Sequence, residues 1–587
     1  MRVHKGTALI AGAAAFALAL TGCSSSSKPS GGGGTGSGGG SANSGSYHGA
    51  GSGTMIWGES TDFPENLLPL ISAGNATSTA NLEVRVLDGA YRTTPKITYE
   101  QDNDQITSGT SSMVGGQQVV DFKINPKAVW GDGQPITSAD YIFTWQDQKS
   151  TDPKKGGCAD LLSETGFDQI ASAKAVSSTE VQFTFIKGKP FADWRGLFAS
   201  PSGIILSKHI MDKGSPTANC AYLHTGWPTA QGIPLGAQNG PWLLETKNIN
   251  VGSKTFTLTH NPRYWGNAPK LARLVDAYVG SDSNTNVKAL QNQEVNVIYP
   301  QPQLDLVKNL QGLANVTTQI SFGVAYEHLD FNVADPLLKH KEIREAIAYA
   351  VDRPALVNAT VGKFSDKASV LGNRLILTNQ PGYQDHSGAY AHQDIAKSKQ
   401  LLQSVGCTMG SGGVYTCFGK PLSFQVETTQ NNPLRDQTIQ TIASQVKAAG
   451  IKLTEFASPD IFAGTDKPHS LVAEGFQIAL FAWVGTPSIS SNAPLFLSPA
   501  AGGKGQNYTQ GGTPQLDTAL NQMSTSATPA DEVKYANVAD QLIWDNMFTL
   551  PLYQKPTLLA FDSNVKGLAD NATSAGPLWN SDTFTVS

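Results

Sequence analysis

Ten histidines are scattered through the 587 residues. None stands in a His-x-x-x-His or His-Cys cluster able to hold a zinc ion. No Gly-x-Ser-x-Gly elbow presents a nucleophilic serine, and no glycine-rich loop ends in the Gly-Lys-Ser/Thr that cradles phosphates. The glycines between 31 and 40 follow no strand. These residues predict no enzyme, no metal and no cofactor. Cys158, Cys220, Cys407 and Cys417 form an even set, and no histidine accompanies either pair at ligand spacing, so they are read as disulfides. Cys407 and Cys417 flank a glycine-rich, hairpin-like loop, which leaves Cys158 with Cys220. What remains for the chain to do is non-covalent.

The elements that position such groups are clearest at residues 128–145. Val119, Asp121 and Lys123 alternate with Val120, Phe122 and Ile124, the period of a half-buried strand. After Trp130, Asp132-Gly133 supplies a turn in which Gly133 takes a positive φ, and Pro135 fixes the exit. Thr137 and Asp140 then stand three apart before Tyr141, Ile142 and Phe143, a capping-box spacing that starts a helix. Val181, Phe183 and Phe185 alternate as another strand, and residues 191–197 read as a short helix. Further on, Ile343, Ala346, Ile347, Ala350 and Val351 mark an amphipathic helix, and Asp352 is placed to cap the next one. Short strands alternate with helices of ordinary length, an α/β pattern.

At this length two or three domains are the prior. The 42 basic and 47 acidic side chains give a net charge of −5 without a Lys/Arg-dense run, which argues against nucleic acid. Arg2 and Lys5 precede an apolar run at 8–20, of signal-peptide length and too short for a bilayer of ~30 Å. Leu20-Thr21-Gly22-Cys23 resembles a bacterial lipobox, which implies a signal peptide over 1–22 and lipidation of Cys23. Residues 24–53 are Gly/Ser-rich, a tether with a reach of roughly 30 Å. The expected location is the outer face of the cell membrane, reached by the lipid anchor only.

The string from Trp130 to Asp140 closely resembles the Trp-x-Asp-Gly-x-Pro-x-Thr-x-x-Asp segment of extracytoplasmic solute-binding proteins of family 5, receptors of ABC importers. Gly240-Pro241-Trp242, Asn261-Pro262-Arg263-Tyr264-Trp265-Gly266, Asp352-Arg353 and Leu550-Pro551-Leu552-Tyr553 resemble further landmarks in order. The resemblance implies a bilobed α/β fold of the periplasmic-binding-protein type (type II), with a hinge between the lobes. It implies a discontinuous domain I (54–88, 232–325, 550–587), an inserted domain II (89–231) and a domain III (326–549). It also implies a monomer that captures a small-molecule or peptide ligand and delivers it to ABC permease subunits, with oligopeptide first among cargoes. An oligosaccharide, a lipid-linked mannoside, or a regulatory scaffold without transport are the alternatives. Ligand contacts are expected at Gly58, Glu59 and Ser60 after the first strand, and at Trp483, Val484, Gly485 and Thr486. In peptide-binding relatives an acid in the latter loop holds the ligand ammonium, yet here residues 484–492 contain no carboxylate. Asp460, Glu474 and Glu59 are the candidate substitutes.

Overall fold

Alternating apolar residues write strands such as Glu180–Phe185, and a capping side chain followed by Pro starts several helices, among them Pro216–Thr225 and Pro433–Lys447. The computed structural model describes residues 51–61, 63–459, 461–462, 468–503 and 506–587. The expected signal peptide, the lipidated Cys23, nearly all of the linker and Asp460 lie outside the described residues.

The first strand, Thr54–Glu59, runs parallel to Arg273–Tyr278 on one side and to Val297–Ile298 on the other. It belongs to an 11-stranded sheet whose far end holds Ile478–Val484, Ser423–Thr429 and Lys452–Ser458. Two long antiparallel strands, Val316–Phe331 and Thr549–Asp562, join the two ends. Their register shifts between Phe322 and Tyr326, opposite Pro556 and Gln554. Such an irregularity bends a strand and increases its twist. Gly323 sits within the shift because nothing larger fits: a Cβ there would meet the Ala572 carbonyl oxygen at 1.6 Å.

A separate four-stranded antiparallel sheet runs in the order Ile106–Val114, Gln117–Ile124, Glu180–Phe185, Ile170–Ser177. Phe122, Tyr141, Phe183 and Phe198 pack beneath it. Each fully buried large apolar side chain contributes ~1.5–3 kcal/mol relative to exposure. The helix Ser138–Gln148 begins where the capping spacing placed it. The Thr137 N–H donates to Asp140 Oδ2 at 2.8 Å, and the other Asp140 oxygen accepts from the Lys208 N–H at 2.9 Å. Gly133 has φ +94°, and a Cβ would lie 2.8 Å from the Arg263 guanidinium. Asp132 accepts from the Gln134 N–H and meets the His209 ring at 2.8 Å. Residues 191–197 do not form the expected helix. Only Trp194–Phe198 coils, as a short 3-10 stretch, while Phe191 and Ala192 lie outside it and are buried.

Helix Arg353–Ala359 is capped by Asp352, which accepts from the Ala355 N–H. Cys158 is joined to Cys220 and Cys407 to Cys417. Buried Arg85 donates to Asp88 at 2.6 Å and to Asp582 at 3.1 Å, tying the residues after the helix Thr77–Glu83 to the C-terminal segment. Burial outweighs the pull of Arg85 on Asp88 and pushes that carboxyl up to about 7. Among the described residues no helix is long and apolar enough to cross a membrane.

Candidate ligand-binding site

The strand Ile478–Val484 pairs with Ala325–Phe331 and delivers the loop at 485–491 to the junction with the four-stranded-sheet region. The Gly485 N–H donates to the Val324 carbonyl at 3.0 Å, which anchors the loop's start. From there its polar atoms reach across the junction. Ser488 Oγ donates to Asp193 Oδ2, and the Ser490 N–H is shared between Asp193 Oδ2 at 3.3 Å and Glu532 Oε1 at 3.0 Å. Ser490 Oγ also donates to Glu532. Tyr99 and Thr486 both line the same space, and the Thr486 hydroxyl lies 3.2 Å from that of Ser491. Nearby, Gln169 Nε2 donates to the Ser524 carbonyl at 2.8 Å. The loop that lacks an acid is thus served by two, both from distant sequence. Burial, reinforced by the neighbouring Asp193 charge, pushes the Glu532 carboxyl up to about 9.

A second cross-junction contact is hydrophobic. Ile97, in the turn from Thr94 to Thr98, packs with Trp483 and Tyr383 against Val324, Tyr326, Leu371 and Leu377. Its φ is +57°. A β-branched residue in that region costs on the order of 1–3 kcal/mol and persists only where its surroundings enforce it. The turn bond from the Ile97 N–H to the Thr94 carbonyl and the apolar cluster do so here.

Between these contacts lies a cavity of about 330 Å³. Leu70, Leu161, Leu162, Phe167, Phe191 and Leu197 form apolar wall, and Tyr99, Thr486, Ser488, Ser491 and Ser574 contribute hydroxyls. Asn75 and Gln148 add amides. Among the described residues no Asp, Glu, Lys, Arg or His lines it. Neutral hydroxyls and amides both donate and accept, so the arrangement suits reversible hydrogen bonding to a solute.

Of the expected contacts, only Thr486 lines this cavity. Glu59 is 4% exposed and both its oxygens are spent: one accepts from the Thr61 N–H and hydroxyl, the other from Trp57 Nε1 and Asn81 Nδ2. It is a brace for the first strand and cannot substitute for a ligand-facing acid. Gly58 is packed against Val295, Val297 and Ile298, and Ser60 donates to the Tyr299 carbonyl. Trp483 stacks on Tyr508 with centroids 5.5 Å apart, outside the cavity wall. Val484 is 61% exposed. Glu474 precedes the start of Ile478–Val484, whereas the loop leaves its end, a strand's length away. Tyr99, Phe167, Phe191 and Asp193 had no local signal in the sequence, because each acquires its place only when segments more than a hundred residues apart meet.

The family described as bacterial extracellular solute-binding proteins, family 5 Middle, matches residues 109–506. Over 531 residues, 87% of this chain and 82% of the relative, the chain is 28% identical to the oligopeptide-binding protein OppA of Mycobacterium tuberculosis. It is 23% identical over 548 residues to an uncharacterized lipoprotein of the same organism, covering 87% of this chain and 90% of that one. Among solved structures, a periplasmic EDTA-binding protein, EppA, superposes with a TM-score of 0.81 at 24% identity, covering 92% of this chain and 97% of the other. With the match to the family spanning most of the chain, this protein belongs to the family 5 bacterial extracellular solute-binding proteins.

Proposed function

We propose that this chain is the receptor of an ABC importer that encloses a short peptide and hands it to permease subunits, held to the outer face of the cell membrane through Cys23. The observation that carries the reading is the cavity at the junction, lined on one side by the loop after Ile478–Val484 and on the other by Tyr99, Phe167 and Phe191. The relative named an oligopeptide-binding protein supports a peptide cargo, and the relative named a lipoprotein supports the anchor. The EDTA-binding structure shows that the fold by itself does not choose the cargo. Closure is read as bending of Val316–Phe331 and Thr549–Asp562 at their register shift, in the frame of a discontinuous domain I, an inserted domain II and a domain III. A ligand favours the closed form only by touching both sides of the cavity.

Native mass spectrometry of protein purified without denaturation tests the cargo. Retained peptide masses are expected; a single sugar or lipid mass in their place would overturn the reading. Cys23→Ala is expected to release the protein from the membrane fraction into the medium, and continued retention would remove the anchor.

A further inference from the structure

The cavity wall restricts the ligand's charge. A free peptide carries an ammonium and a carboxylate, and enclosing either without a counter-charge is costly. The described lining offers neither acid nor base. The nearest carboxylates reached through the lining, Asp193 and Glu532, already accept from Ser488 and Ser490, and they face each other and not a cation. The polar groups that do face the space are neutral. Ser488 and Ser491 are already engaged, and the Ser574 hydroxyl, without a partner among the described residues, is itself shut away from solvent. The volume, about 330 Å³, falls at the small end of the range of ~300–1,000 Å³ for ligand sites. Leu70, Phe167 and Phe191 supply apolar surface for one or two side chains.

We propose that the cavity takes a small uncharged amide bearing apolar side chains, a cyclic or doubly capped dipeptide, and discriminates against the same dipeptide with free termini. The inference rests on the peptide reading above and narrows it: hydroxyls and amides pair with ligand N–H and C=O groups, and the charge-free wall excludes zwitterions by their desolvation.

Calorimetric titration of the full chain with three probes of one composition tests this: Leu-Phe with free termini, N-acetyl-Leu-Phe-amide, and cyclo(Leu-Phe). The uncharged probes are expected to bind at least tenfold more tightly than the zwitterion. Equal or tighter binding of the zwitterion would overturn the inference while leaving a peptide receptor standing. Failure of all three probes and of longer free peptides would overturn the peptide reading with it. Thr486→Asp, which places a carboxylate in the wall, is expected to shift the ratio at least tenfold toward the free-amine probe. An unchanged ratio in that folded variant would show that binding occurs elsewhere and overturn the assignment to this cavity.

Discussion

The turn around Asp132 and the loop around Ser488 are built from the same small polar residues, yet they use them in opposite directions. In the turn, bonds close mainly over short distances: Asp132 takes the Gln134 N–H, and Asp140 takes the Thr137 N–H, with Lys208 and His209 adding support from one following segment. In the loop, Ser488 and Ser490 reach Asp193, 295 and 297 positions away, and Ser490 also reaches Glu532, 42 positions away. The first arrangement spends its side-chain oxygens on the backbone of its own turn and helix start and on one following segment. The second joins two regions distant in sequence, and under the proposed closure its hydrogen bonds would serve as a latch as well as a tie.

The comparison breaks first at Asp140. Its carboxylate is 4% exposed and holds two backbone donors, so Asp140→Ala leaves the Lys208 and Thr137 N–H groups without their acceptor. The expected loss is roughly 2–4 kcal/mol of unfolding free energy in a denaturant titration. Probe affinity of the protein that remains folded should stay within about twofold. A large change in affinity with little loss of stability would reverse the roles assigned to the two regions.

Asp193→Ala should act the other way round. It removes the acceptor of both Ser488 and the shared Ser490 N–H, and leaves the core of each region intact. Losing these bonds costs the closed form about 1–3 kcal/mol, roughly a tenfold loss of probe affinity for each 1.4 kcal/mol. Small-angle scattering should report a larger radius of gyration, while the denaturation midpoint moves less than in Asp140→Ala. Unchanged scattering and affinity would show that the junction is held by the Ile97 contact and not by the carboxylate.

The same contrast explains what was legible in the sequence. Trp130, Asp132, Gly133, Pro135, Thr137 and Asp140 announced a turn and a helix start because their interactions are mostly local, and local interactions leave periodic or fixed-offset patterns. The alternating strands and the Cys407–Cys417 bridge, 10 residues apart, belong to the same class, whereas Cys158 and Cys220, 62 apart, are paired in the sequence only as the remainder of an even set. The site is different. Glu59 looks like a free acid at a strand end, and only folding shows that Trp57, Thr61 and Asn81 consume it. Asp193 looks like an ordinary residue before Trp194, and only folding brings it to a loop 295 positions away. The acid-free composition of 484–492 was visible; the acids that reach it from behind were not.

A smaller effect is expected at Ser488→Ala. Asp193 loses one donor but keeps the Ser490 N–H at 3.3 Å, so the closed form should weaken by about 0.5–1.5 kcal/mol, the worth of one ordinary hydrogen bond. If Ser488→Ala matches Asp193→Ala in probe affinity, then the hydroxyl itself touches the ligand, and the loop is more site than latch.

The smallest effect is expected from Glu532→Gln in acid, and its growth with pH tests the loop's second partner. Glu532 is raised from an ordinary 4.5 to about 9, by burial first and then by the Asp193 charge. The folded chain therefore keeps a proton that the unfolded chain has released throughout that window, and stability falls as pH rises from about 4.5 to about 9. Glutamine does not titrate, and its amide oxygen can accept from the Ser490 N–H as Glu532 Oε1 does. Glu532→Gln should match the parent near pH 4.5 and become progressively more stable than it toward pH 9 in paired denaturant titrations. Curves that stay parallel would mean that Glu532 ionises freely beside Asp193. The two carboxylates would then repel across the junction, and the contact between loop and acid would hold the lobes apart.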